Sequence, residues 1–163
     1  MTTDETIDRL NDLIRTCKDG ELGYLTAAED GKNTQLDTVF KDYAKQRAHF
    51  AKQLQSEVER LGGIPADSGT LTATLFRGWM DVKSALTAGS ASAIVAACET
   101  GEDSAVASFE RVVNLDISGE AKALVEKQWQ QVKEAHQHMK RLKEETSRGE
   151  HFPANEKQTK TPR

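Results

Sequence analysis

Four long stretches of this chain carry their apolar residues at alternating spacings of three and four, and that period constrains the fold more than any other feature. The first stripe is Ile7, Leu10, Ile14, Cys17, Glu21, Tyr24 and Ala28. The second is Leu36, Phe40, Tyr43, Arg47, Phe50, Leu54, Glu57 and Leu61. The third is Val95, Cys98, Glu102, Ala105, Phe109 and Val112, and the fourth is Val125, Gln128, Val132, Ala135, Met139 and Leu142. Such an alternation keeps one face of a helix turned toward its neighbours. Helices striped in this way bury those faces against one another, as a bundle.

Local signals mark the ends. The first helix is expected over 3–30, with Thr3 as its cap, Asp4 and Glu5 in its first turn, and Gly31 ending it. Gly20 and Gly23 lie inside it, although glycine costs roughly 1 kcal/mol in a helix interior. They serve either close packing against a neighbouring helix or room for something beside Glu21. The second helix is expected over 34–61, closed by Gly62, Gly63 and Pro65. The short link before it makes the first two helices an antiparallel hairpin. The third and fourth helices, over 90–114 and 119–147, are joined by another short turn with Ser118 as a candidate cap.

The connection from Gly63 to Gly89 is several times longer than a bundle turn needs. It holds a helix of its own over 71–86, capped by Ser68. At 1.5 Å per residue that helix spans ~24 Å, and with its flanking loops it can travel the length of the bundle. The expected fold is therefore all-α: two antiparallel hairpins joined by a long helical crossover, the ferritin-like arrangement. Phe76, Trp79, Met80 and Leu86 give the crossover more apolar positions than one face needs, which marks a surface for self-association. Residues 149–163 have no periodicity and a polar excess, so the division is a bundle over 1–148 and a disordered tail.

Three acids, Glu21, Glu57 and Glu102, interrupt the stripes, and burying an unpaired charge is costly. In ferritin-like bundles a metal pair is held by a Glu from each of two helices and a Glu-x-x-His from each of the other two. Glu21 and Glu102 stand where that scheme wants its single carboxylates, but no Glu-x-x-His occurs in the chain. The nearest match is Gln46-Arg-Ala-His49, and level with Glu102 on the fourth helix stands Gln128 with its neighbours. Arg47, mid-stripe on the second helix, is the expected substitute for the metal. Helical side chains lean toward their own N-terminus, so Arg47 and Glu21 lean toward each other across the hairpin. Glu102 is expected to share that cation, with Gln128 donating an amide hydrogen. The interior polar cluster is thus Glu21, Arg47, Glu102 and Gln128.

Leu10-Asn-Asp-Leu-Ile, Lys18-Asp-Gly, Arg77-Gly-Trp-Met-Asp-Val-Lys-Ser-Ala-Leu86 and Cys98-Glu-Thr-Gly-Glu-Asp103 resemble a bacterial family of four-helix-bundle proteins of unknown function, the domain-of-unknown-function 2383 type. That family is grouped with the ferritin-like folds. The resemblance covers roughly Thr6 to Leu142. It implies a bacterial, cytoplasmic setting and a loose link to stress responses, and it brings no reaction.

The remaining features narrow the function by exclusion. A net charge of −4 gives no basic footprint for nucleic acid. No apolar run approaches a membrane span, and the N-terminus lacks the pattern of a signal peptide, so a cytoplasmic protein is expected. No nucleophile–base pair or phosphate-binding glycine loop stands out. Cys17 and Cys98 sit on stripes as small core residues and are expected to stay reduced and unpaired. The expected function is that of a non-enzymatic bundle without cofactors, a homo-oligomer or the partner of another protein. The alternative is a divergent iron- or manganese-binding protein using Glu21, His49, Glu102 and His136.

Overall fold

The structure, a computed structural model, describes residues 1–30, 33–69, 79, 82, 84–87, 90–117 and 119–148. Its first helix, α1 (Thr3–Ala27), is capped by Thr2 and not by Thr3, because Thr2 stands three residues before Glu5. The Thr2 hydroxyl accepts from the Glu5 amide at 3.1 Å, and Glu5 accepts from the Thr2 amide at 2.8 Å. This reciprocal box satisfies two amides that the first turn leaves without partners. A single 3-10 turn, Ala28–Asp30, follows in place of a continuous helix to residue 30.

The second helix, α2 (Thr34–Arg60), is capped by the Asn33 side chain, which accepts from the amides of Gln35 and Leu36. Its end is decided by Gly62, whose φ of +88° lies in the left-handed region where a side chain would be strained. That turn lets the Gly62 amide reach the Glu59 carbonyl and the Gly63 amide reach the Val58 carbonyl, each at 2.9 Å. The third helix, α3 (Ala91–Val113), begins at the Ser90 cap, and the fourth, α4, spans Gly119–Ser147.

Helix α1 packs on α2 and α3, and α4 packs on α3 and α2. Every adjacent pair is antiparallel. Tyr24 near the end of α1 stacks on Phe40 near the start of α2. Tyr43 bonds His138 while Gln128 reaches Phe50, so α2 and α4 run in opposite directions. Glu99 meets Lys143 and Asp103 meets His136, so α3 and α4 do too. It follows that α2 and α3 lie diagonally and run in the same direction. The link between them must return along α2, whose 27 residues span ~40 Å.

Both edges of that link are tied down. Asn11 donates to the Ile64 carbonyl and accepts from the Ala66 amide, and Gln55 donates to the Ala66 carbonyl. Further on, Trp79, Val82 and Ala85 recur at threes and are buried, while Ser84 and Thr87 are exposed. The crossover thus turns its apolar side to the bundle. Trp79 is only 6% exposed, which corrects its assignment to an interaction surface, and Leu86 is partly buried against the same cluster. Phe76, Met80, residues 71–78 of the expected crossover helix, Ser118, Gly31 and the tail over 149–163 fall outside the described residues.

The core has two apolar halves. One gathers Leu10, Leu13, Ile14 and Cys17 with Phe50, Leu54, Phe109 and Val125. The other gathers Tyr24 and Ala27 with Phe40, Trp79, Val95, Cys98 and Met139. On α2 the halves meet between Ala44 and Phe50, and on α3 between Cys98 and Ala105. Arg47 and Glu102 occupy those junctions.

A buried ion pair as the candidate functional site

The site is built by the stripe period. Arg47 and Glu102 fall on the inward faces of two diagonal helices, at the level where the apolar halves meet. Arg47 is 1% exposed and Glu102 is fully buried. The guanidinium grips the carboxylate through two parallel bonds, Nη1 to Oε1 at 2.6 Å and Nη2 to Oε2 at 2.7 Å. This fork-to-fork geometry is the strongest form of side-chain ion pair. Tyr24 adds a third donor, its hydroxyl 2.8 Å from Glu102 Oε2, and its ring lies 5.8 Å from the guanidinium carbon. Arg47 Nε donates to Gln46 at 3.3 Å.

Electrostatics reinforces this arrangement. Burial opposes a charged guanidinium, but the carboxylate beside it prevails, and Arg47 is held above its usual range. Burial, with Glu102 adding to it, raises the Tyr24 phenol well above its ordinary value, so Tyr24 stays a donor. Both oxygens of Glu102 are thereby engaged and its charge is neutralised. A dication here would have to displace a cation that is covalently part of the protein.

Gly20 and Gly23 make room for this layer. A Cβ at Gly20 would stand 3.4 Å from two atoms of the Arg47 side chain. A Cβ at Gly23 or Gly101 would come within 2.2 or 2.3 Å of the Trp79 indole. The crossover therefore seats its tryptophan in a slot between α1 and α3, and Tyr24 meets that indole edge-on with centroids 4.9 Å apart.

The expected four-residue cluster is only partly assembled. Glu21 is turned outward, its side chain 29% exposed and 4.0 Å from Lys18. Gln128 is buried, but its amide donates to the Phe50 carbonyl and to Gln53, strapping α4 to α2. The alternative ligand set disperses likewise: Glu21 is outside the core, His49 is exposed, Glu102 is taken by Arg47, and His136 meets Asp103. In the sequence Tyr24 is one apolar stripe member among others; that a buried phenol needs a polar partner is the clue to its place in this layer. A second group of donors, Glu99, Asp103 and His136, comes together between α3 and α4.

The two cysteines lie in different halves of the core and are both free and buried. Burial pushes the Cys17 thiol up to about 12, and burial with Glu102 pushes Cys98 well above its usual value. Only the thiolate is nucleophilic. At pH 8 the folded protein is expected to resist an aromatic disulfide reagent while the denatured chain yields both thiols. Fast reaction in the folded state would contradict the packing.

A family model described as a domain of unknown function (DUF2383) matches residues 5–115, a stretch that takes in Tyr24, Arg47, Trp79 and Glu102 and stops short of α4. No curated protein matches the chain.

Proposed function

The chain belongs to the DUF2383 family, and on that premise we propose that it is a non-enzymatic, ferritin-like bundle protein that acts by association, with itself or with a protein partner. The observation that carries the non-metal part of this reading is the bidentate pair of Arg47 with Glu102 at the bundle centre. Metal-bearing bundles of this kind gather four carboxylates and two imidazoles there. Among the described residues this centre holds one carboxylate, neutralised by a fixed guanidinium and a phenol, and such a layer serves packing specificity rather than redox chemistry. The family resemblance adds a loose link to stress responses.

Untagged protein should be loaded with iron or manganese, dialysed and analysed for metal, and its mass measured by light scattering. The expected result is no metal whose retention depends on Glu102, and a mass above the 18.0 kDa of one chain. Two metals per chain, lost on Glu102→Ala, would overturn the reading. A monomer at high concentration would remove self-association and leave the partner form.

A further inference from the structure

Glu99 and Asp103 stand four residues apart on α3 and so share one face of that helix. Neither belongs to the apolar stripe. His136 reaches the same place from α4, and its Nε2 lies 2.5 Å from Asp103 Oδ1. One oxygen from each acid and one imidazole nitrogen lie within 4.8 Å of one another. An ion at their centre would stand within ~2.8 Å of each donor, against ~2.0–2.2 Å for zinc bonds to nitrogen and oxygen, a gap that small side-chain rotations close.

The surroundings suit an ion. The Glu99 and His136 side chains are 14% and 19% exposed, which limits competing water, while Asp103 is 58% exposed and leaves an entry from solvent. Glu99 already draws a cation, the Lys143 ammonium 3.2 Å from its Oε2. Lys143 stands on the same helix as His136, so it can swing aside without moving α3. Glu102 is the next residue to Asp103 but is turned about 100° around the helix, into the core, so this cluster is separate from the Arg47 layer.

We propose that Glu99, Asp103 and His136 form a binding site for one first-row transition dication, with water completing its coordination. The imidazole selects against magnesium and calcium, and the two carboxylates suit a divalent ion of the zinc or manganese type. A bound ion would bridge α3 to α4 and clamp the second hairpin.

Zinc titration of the full-length protein against a chromogenic chelator, at neutral pH, tests this. The expected result is one zinc per chain, weakened at least tenfold by His136→Ala and by Asp103→Asn. The control His138→Ala should bind like wild type. Lys143→Met should bind more tightly, because it removes the competing charge. Zinc should also raise the melting temperature of wild type and not of His136→Ala, with circular dichroism showing that each variant is folded. Absent binding, or equal binding by wild type and His136→Ala, would overturn the proposal. Zinc that survives His136→Ala and is lost in Glu102→Gln would place the ion in the bundle centre, overturning the proposed function as well.

Discussion

Replacing Arg47 with alanine is expected to destabilise the fold by about 3–5 kcal/mol, because it leaves the Glu102 carboxylate buried without its counter-charge. The magnitude comes from desolvation, not from the attraction between the partners. Taking either ion from water is expensive, and in this layer that cost is offset by the partner ion, by Tyr24 and, for Arg47, by its bond to Gln46. Glu102→Gln should be comparably harmful, since it strands the guanidinium. Tyr24→Phe removes a hydrogen bond to a charged group and should cost about 1.5–3 kcal/mol. The double change Arg47→Met with Glu102→Leu removes both charges and keeps the volume. It should lie much closer to wild type than either single change, as buried pairs replaced by apolar side chains often do. Urea unfolding of wild type, Arg47→Met, Glu102→Leu and the variant carrying both forms a double-mutant cycle. Single variants within about 1 kcal/mol of wild type would mean that water reaches the pair and screens it.

The second large effect is expected at Trp79, where truncation to alanine should cost about 3–5 kcal/mol. The indole fills a slot whose walls are Gly23 and Gly101, and a small side chain would leave a cavity that two packed helices are too stiff to close. The reverse experiment fills the slot from the other side. Gly23→Ala or Gly101→Ala places a methyl group well inside contact distance of a rigid fused ring, so the whole side chain must move out. About 1–3 kcal/mol is expected for such overpacking. The two effects should be coupled. Once Trp79 is alanine, Gly101→Ala should be neutral or gain about 0.5–1 kcal/mol, since alanine is the better helix former. In a Trp129→Phe background, emission from Trp79 should shift to the red in Gly101→Ala as the indole meets water. Strict additivity of the two substitutions would show that the tryptophan does not occupy the slot.

Much of this protein could be read from its residues because the relevant physics is local. The capping side chains Asn33 and Ser90 lie within three residues of the amides they serve. The left-handed turn at Gly62 needs only a residue without Cβ. The stripe period places Arg47 and Glu102 inside without reference to any other helix, and a long link between parallel helices needs no tertiary detail. What the sequence left open is the choice between neighbouring positions on one face. Three residues on from Cys17 is Gly20 and four on is Glu21, and a period near 3.6 admits either. The structure turns Gly20 inward because the Arg47 side chain and the Trp79 indole need that space, and Glu21 rotates to solvent. That decision rests on Trp79, more than fifty residues away in sequence. The pairing of Arg47 with Glu102, rather than with the acid across its own hairpin, is decided the same way. Helix geometry says which way a side chain leans, but only the packed bundle sets which carboxylate lies within hydrogen-bond reach.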